Sequence, residues 1–202
     1  GITRYFDRKP RMTTIAIVEK NNRIALAADS QSTFGDDQFL GADNDAYYHK
    51  IFQHEDSFIA VAGAVAHDLV LRSALKGVQA QELYGRENIF HTFCKLHVQL
   101  KEHFFLRTEE EDDDPYESSQ MLLLIANPSG IYGVYPMREV YQFKRFWAIG
   151  SGRKYAMGAL HALYQHDDWQ AADLAKMAVE AGAAFDVCSR LPIQLVETQR
   201  QA

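Results

Sequence analysis

A chain of 202 residues with 47% hydrophobic content is large enough to bury one core, and its composition requires no second domain. The formal net charge of -6 argues against a nucleic-acid partner, because phosphate binding needs clusters of basic residues. No stretch approaches the roughly 20 apolar residues of a membrane span, and two cysteines are too few for a disulfide framework, so we expect a cytoplasmic protein without a membrane partner.

The first predicted element is a β-hairpin with a threonine and an aspartate at its open end. Apolar runs at 15–18 and 24–28 flank the pair Asn21-Asn22, which favours a tight turn between two strands. Thr13 and Asp29 then lie at the same end of the hairpin. A threonine hydroxyl becomes a nucleophile only where a base takes its proton, and its own α-amine can do so when the chain begins at it. This pairing suggests an activated hydroxyl.

The rest of the chain alternates between predicted strands and pairs of helices. A segment rich in Gly, Asp and Asn predicts a surface loop over residues 34–45. Period-2 patterns and apolar runs predict strands at 51, 58–62, 121–126, 131–135, 140–143, 146–149 and 193–196. Helical spacing of apolar residues predicts helices over 64–82, 89–104, 154–164 and 171–185. This order predicts an α+β domain of two stacked sheets between two helix layers.

Several short motifs, taken in order, resemble the proteasome β-type subunits and their bacterial relatives, including the HslV peptidase. TTIAIV looks like the mature amino terminus of that family, AADSQST like its Asp-containing second strand, and YHKIF like the segment with its essential lysine. FIAVAGAVAHD, FWAIGSGRKYA and DVCS are similar to its glycine turn, its Gly-Ser-Gly turn and its Asp-x-x-Ser pair. The resemblance implies the four-layer αββα sandwich of the amino-terminal nucleophile hydrolases, in a single domain at 13–202.

The resemblance also implies a set of residues that move a proton or stabilise charge. Thr13 is the nucleophile, Lys50 supplies a positive charge beside its amine, and Asp29 is the buried counter-ion of that lysine. Gly63, at a turn from strand to helix, offers the backbone N–H that stabilises the oxyanion.

A second group implied by the resemblance surrounds the threonine amine. Ser151, Asp186 and Ser189 form a hydrogen-bonded cluster that fixes the orientation of the amine. Backbone carbonyls near the last pair imply a site for a monovalent or divalent structural cation at Ala183, Asp186 and Ser189. No cofactor is required for the reaction, and the eight histidines form no zinc-binding motif.

Substrate binding follows from the same resemblance. Thr33, Gly63 and Val65 line positions at which relatives add the peptide as an extended strand, through main-chain hydrogen bonds. Ser32, Val61 and Val65 match positions that shape the pocket for the residue before the cut. These side chains are small or medium in size, so we expect an apolar residue of moderate size there.

The resemblance implies a homo-oligomeric double ring that hydrolyses peptides or unfolded proteins, with an ATP-dependent unfoldase ring as a partner. Residues 1–12 are then an amino-terminal extension or propeptide, and the peptidase is latent until Thr13 is amino-terminal. Met12, ahead of the small residue Thr13, favours a start at Met12 with removal of that methionine. Two other interpretations stay open: a non-catalytic or latent ring subunit of the same fold, and an amidohydrolase that acts on small amides.

Overall fold

The computed structural model describes residues 13–34, 37–63, 66–108 and 113–201. The predicted amino-terminal extension, residues 1–12, and the predicted pocket residue Val65 lie outside these ranges. The strands are β1 (Ile15–Lys20), β2 (Arg23–Ala28), β3 (Gln31–Phe34), β4 (Asp37–Leu40), β5 (Ile51–His54), β6 (Ser57–Ala62), β7 (Leu122–Asn127), β8 (Gly130–Val134), β9 (Val140–Phe143), β10 (Phe146–Ile149) and β11 (Gln194–Gln199). The helices are α1 (Gly41–Asn44), α2 (Ala66–Ala74), α3 (Arg86–His103), α4 (Arg153–Leu163) and α5 (Ala171–Phe185).

The strands form two main antiparallel sheets. One contains four strands in the order β10-β1-β2-β11, and the other contains five in the order β5-β6-β7-β8-β9. Asn21 and Asn22 have φ values of +52° and +61°, the left-handed pair that a tight two-residue hairpin turn needs. The register pairs Ile15 with Ala28, so Thr13 and Asp29 leave the hairpin at the same end, as predicted.

The sheets stack face to face, and helices cover both outer surfaces. Along β1, Ile15 and Ile17 face the opposite sheet, whereas Ala16 and Val18 face α4 and α5. Helices α2 and α3 pack in the same way on the outer face of the five-stranded sheet. The predicted four-layer αββα sandwich is confirmed. None of the helices in the described ranges combines the length and apolar content that crossing a bilayer requires.

The prediction of a surface loop over residues 34–45 is wrong, because β4 and α1 lie within it. Strands β3 and β4 pair in register from Gln31 with Leu40 to Phe34 with Asp37. Gly, Asp and Asn are depleted in strands, so the composition indicated a loop. The two strands pair with each other through backbone hydrogen bonds, which do not require an alternation of apolar and polar side chains.

The helix predicted over residues 64–82 is shorter than its apolar spacing indicated. Helix α2 ends before Gly77, whose φ of +91° is a left-handed conformation that favours glycine where helices end. A 3₁₀ turn at Ala80–Leu83 follows. Leu69 is 70% exposed, whereas Leu71 and Ala74 form the buried face of this helix.

Helix α5 approaches the start of β1 closely. Gly182 of α5 and Gly152, the residue before α4, both face Thr14, whose side chain is fully buried. A Cβ atom on either glycine would overlap Thr14 Oγ1. The helix layer therefore needs glycine at these two points to hold the residues next to Thr13 in place.

We expect Gly182→Ala to lower the melting temperature, because its Cβ must displace the buried Thr14 side chain. Overpacking of this kind costs about 1–3 kcal/mol, which corresponds to about 2–10 °C for a chain of this size. Gly158→Ala is the matched control, since nothing lies within 4 Å of a Cβ at that position of α4. Alanine favours a helix over glycine by about 0.5–1 kcal/mol, so the control should melt at or above the parent temperature. Thermal melting of the three proteins tests this order, and a Gly182→Ala variant that melts with the parent would contradict it.

Candidate active site

Three predicted residues meet at the open end of the first hairpin. Thr13 precedes β1, Asp29 follows β2, and Lys50 lies in the bend before β5 of the other sheet. Thr13 Oγ1 donates to Asp29 Oδ1 at 2.5 Å and accepts from Lys50 Nζ at 2.7 Å. Lys50 Nζ also donates to Asp29 Oδ1 at 2.7 Å. The hydroxyl thus contacts both a cation and its counter-ion, and the Lys50 ammonium is placed to stabilise negative charge on Oγ1.

Asp29 is a buried carboxylate with donors on both oxygens. Oδ1 accepts the Thr14 N–H at 3.0 Å in addition to the groups above. Oδ2 accepts the backbone N–H groups of Gln31 at 3.2 Å and Arg190 at 3.0 Å. The residue is only 1% exposed, so these hydrogen bonds replace the water that an ionised carboxylate would otherwise bind.

Lys50 is the cation of the site. Its side chain is 15% exposed, and burial lowers its pKa below the ordinary value. The charges of Asp29 and Asp186 and the hydrogen bond that Lys50 donates to Asp29 oppose that change and favour the protonated form. A lysine that holds its proton less tightly than usual, in contact with a hydroxyl, is suited to proton transfer.

A second carboxylate organises the nitrogen side of Thr13. Thr13 N donates to Ser151 Oγ at 3.2 Å, and Ser151 Oγ donates to Asp186 Oδ2 at 2.7 Å. Ser189 Oγ donates to the same oxygen at 2.6 Å. Because the single Ser189 proton points at Asp186, Thr14 Oγ1 must be the donor in its 2.7 Å contact with Ser189 Oγ. The four hydroxyl and amide groups therefore form one ordered chain around Thr13.

The Gly-Ser-Gly turn encloses the Thr13 carbonyl. Gly150 has a φ of +98°, and a Cβ there would overlap the carbonyl oxygen of Thr13. Gly152 N donates to that oxygen at 3.2 Å. Glycine is required at position 150 for both its conformation and this close approach.

The predicted oxyanion and substrate residues lie around the ends of β3 and β6. Gly63 follows β6 with a φ of +127°, so its conformation selects glycine, while a Cβ would make only ordinary contact with the His67 ring at 3.6 Å. Val61 is half-buried in β6 and packs against the apolar cluster under α2 and α3. Ser32 and Thr33 lie in β3, where they pair with residues of β4. Their roles in binding stay predictions.

The predicted cation site is assigned to backbone carbonyl groups. In the part of the chain that the structure describes, no group of three or more His, Cys, Asp or Glu side chains is placed to hold a metal ion. The carbonyl oxygen of Asp186 accepts the Ser189 N–H at 3.2 Å. A cation held by carbonyl oxygens at Ala183, Asp186 and Ser189 stays a prediction.

Sequence reasoning did not identify three further contributors to the site, Thr14, Gln31 and Arg190. The bond from Gln31 N to Asp29 Oδ2 joins residues two apart, which is the local turn that aspartate often forms. That bond was therefore predictable. The bond from Arg190 N comes from a residue 161 positions away, and a backbone donor has no side-chain signature in a sequence.

Known proteins with similar sequences identify the family of this chain. The sequence model of the family described as Proteasome subunit matches residues 11–197. The chain is 26% identical to the ATP-dependent protease subunit HslV of Caldicellulosiruptor saccharolyticus over 186 residues, which cover 92% of this chain and 97% of that protein. It is 28% identical to the proteasome subunit beta of Nanoarchaeum equitans over 199 residues, 91% of each. The predicted family resemblance is confirmed.

Solved structures show the same relationship. BPH of Thiobacillus denitrificans in complex with epoxomicin superposes with a TM-score of 0.86 at 36% identity, over 94% of this chain and 100% of that one. HslV from Trypanosoma brucei superposes with a TM-score of 0.69 over 93% of this chain and 100% of that one. At 19% identity the second match shows the fold alone.

We expect the loss of the Asp29 charge to destabilise the protein more than the loss of the Lys50 charge. In Asp29→Asn, either orientation of the amide places an NH₂ group against N–H donors, and Lys50 loses its counter-ion. Such a change costs about 3–5 kcal/mol, or about 10 °C in melting temperature. Lys50→Met leaves Asp29 with its backbone donors and should cost less, about 1.5–3 kcal/mol, as expected for one hydrogen bond to a charged group. Thermal melting of both variants measures the difference, and equal losses would contradict the assignment of Asp29 as the anchor.

Proposed function

This chain belongs to the proteasome subunit family, and on that premise we propose that it is a threonine endopeptidase whose nucleophile is Thr13 Oγ1. The observation that carries the proposal is the contact of this one hydroxyl with Lys50 Nζ at 2.7 Å and Asp29 Oδ1 at 2.5 Å. A structural threonine at a strand start needs neither partner. A buried hydroxyl between a lysine and its counter-ion is the arrangement of an activated nucleophile.

The reaction uses the Thr13 nitrogen as the base. When Thr13 is amino-terminal, this nitrogen has a free lone pair and takes the hydroxyl proton as Oγ1 attacks the substrate carbonyl. The C–O bond forms while the carbonyl electrons move to oxygen, where the Gly63 N–H stabilises the charge. The amine then passes its proton to the leaving nitrogen, and water releases the acyl group by the reverse steps. Lys50 stabilises the negative charge that develops on Oγ1.

Latency follows from the same chemistry. An amide nitrogen has its lone pair delocalised into the carbonyl group, so it cannot act as a base near neutral pH. A chain that keeps residues 1–12 joined to Thr13 is therefore inactive. Either translation from Met12 with removal of that methionine, or cleavage of the bond between Met12 and Thr13, generates the active form.

The assembly is a homo-oligomeric double ring in the cytoplasm that receives unfolded chains from an ATP-dependent unfoldase. Support comes from the relatives, several of which are named as ATP-dependent protease subunits. Phe185, Val187 and Leu191 are at least half exposed on the single chain, at 70%, 75% and 55%, and apolar surface of this kind favours burial between subunits. Residues 13–202 form the peptidase domain, and residues 1–12 form its extension.

Substrates are peptides in an extended conformation. Thr33, Gly63 and Val65 bind the main chain of the peptide, and Ser32 and Val61 help to shape the pocket before the cut. The pocket takes an apolar residue of moderate size. No cofactor takes part, and any cation bound by carbonyls near Asp186 is structural.

Removing either partner in the proton transfer should abolish peptidase activity without unfolding the protein. In the form that begins at residue 13, we expect Thr13→Ala and Lys50→Ala to lower kcat/KM on short fluorogenic peptides by at least about 10³-fold. Melting temperatures should stay within a few degrees of the parent value, and the assembled mass by light scattering should match that of the parent protein. Thr13→Ser keeps a hydroxyl and is the matched control with measurable activity. Epoxomicin, the compound bound in the Thiobacillus denitrificans structure, should suppress the parent activity.

Other outcomes separate the alternatives. Activity retained in Thr13→Ala would exclude Thr13 as the nucleophile. Hydrolysis of small acyl-amides without hydrolysis of peptides would favour an amidohydrolase. A monomer at micromolar concentration would contradict the ring.

The role of the Thr13 amine can be tested with two forms of the protein. One begins at Thr13, and the other keeps residues 1–12, each verified by intact mass. We expect hydrolysis by the short form alone, because only its Thr13 nitrogen is basic. Equal activity from an uncut long form would exclude the amine as the base. Assembled but inactive rings of both forms would favour a non-catalytic subunit.

A further inference from the structure

The start of β5, directly after Lys50, is held by a side chain from the opposite sheet. Gln194 Oε1 accepts the Ile51 N–H at 3.0 Å, and Gln194 Nε2 donates to the Ile51 carbonyl oxygen at 3.0 Å. The two residues are 143 positions apart. One side-chain amide thus makes the two bonds to one residue that an adjacent antiparallel strand would make.

The position of β5 in its sheet explains why this bond pair is available. β5 is an edge strand of the five-stranded sheet, and within the described ranges it pairs with β6, through Ile51 with Ala60. An edge strand presents one row of backbone N–H and C=O groups away from its neighbour. A glutamine amide carries a donor and an acceptor side by side, so it can satisfy both groups of Ile51 at once.

The backbone of Gln194 lies next to Asp29, the counter-ion of Lys50, and its side chain forms what we call the Gln194 clamp on Ile51. Gln194 is the first residue of β11 and pairs with Ala28, the last residue of β2. Asp29 follows Ala28 directly. The Gln194 side chain therefore links the strand end that carries Asp29 with the strand start that carries Lys50.

We propose that Gln194 is a positioning residue that sets the distance between Lys50 and the Asp29–Thr13 pair. Lys50 lies in the bend before β5, outside the strand ladder, so the peptide that joins it to Ile51 is the nearest point at which the sheet can hold its backbone. If this peptide shifts, the Lys50 ammonium loses its two 2.7 Å contacts together. A misplacement of about 1 Å at a reacting group can cost about 10²-fold in rate. The role rests on the proposed peptidase function.

The test compares Gln194→Met with Gln199→Met. Methionine matches glutamine in length but offers no amide, and Gln199 is an exposed residue of the same strand. Three measurements apply to each: hydrogen exchange at the Ile51 amide, acylation of Lys50 by acetic anhydride followed by peptide mapping, and kcat and KM of the form that begins at Thr13. The first two do not depend on activity.

In Gln194→Met we expect the Ile51 amide to exchange about 5-fold faster, because one hydrogen bond is worth about 1 kcal/mol. Lys50 should be acylated several-fold faster. The kcat should fall about 10- to 100-fold while KM stays within about twofold. Gln199→Met should match the parent protein in all three, and both variants should keep the parent assembly.

Each contrary result overturns a defined part of the inference. Unchanged exchange and acylation in Gln194→Met would show that the clamp does not hold Lys50. Faster acylation with unchanged kcat would exclude a role in the reaction. Equal losses in both variants, or dissociation of the assembly, would make Gln194 a structural residue. If the parent protein hydrolyses no peptide, the proposed function fails, and exchange and acylation still decide whether Gln194 holds Lys50.

Discussion

The site depends on the burial of one carboxylate. Asp29 is almost fully removed from water, so its charge is tolerated only where donors surround both oxygens. Those donors come from the start of β1, from the turn after β2, from Lys50 in the other sheet and from Arg190 after α5. The carboxylate is satisfied only when these four parts of the chain are in place. The site is therefore complete only when these parts of the chain have packed together.

The carboxylates of Asp29 and Asp186 serve different parts of Thr13. Asp29 contacts the hydroxyl of Thr13 directly, whereas Asp186 reaches the Thr13 nitrogen only through Ser151. Both carboxylates act on Lys50, because the charge of each raises the pKa of the lysine while burial lowers it. The Thr13 hydroxyl contacts Lys50 and Asp29, and the Thr13 nitrogen is held by Ser151. A proton can therefore pass between this hydroxyl and this nitrogen with little movement of heavy atoms.

Sequence patterns predicted the features that depend on neighbouring residues and missed those that depend on backbone contacts between distant parts of the chain. The Asn21-Asn22 turn is local, so it placed Thr13 beside Asp29 without any knowledge of the fold. Lys50 was predicted only by family resemblance, because no spacing rule joins a lysine in one sheet to a hairpin in the other. β4 was missed because its pairing with β3 rests on backbone hydrogen bonds, and neither strand has the regular alternation of apolar and polar residues that predicts a strand. Gln194 was missed because its partner is the backbone of Ile51.

The state of the Thr13 nitrogen changes the charge balance of the whole site. As part of a peptide bond it is neutral, and it donates one hydrogen bond to Ser151. As a free amine it adds a second basic group to a cluster that already contains Lys50, with Asp29 and Asp186 as the only acids described there. Ser151 holds the Thr13 nitrogen in the structure. A free amine held in the same place stays beside the Oγ1 of its own residue, where the proposed mechanism needs its base.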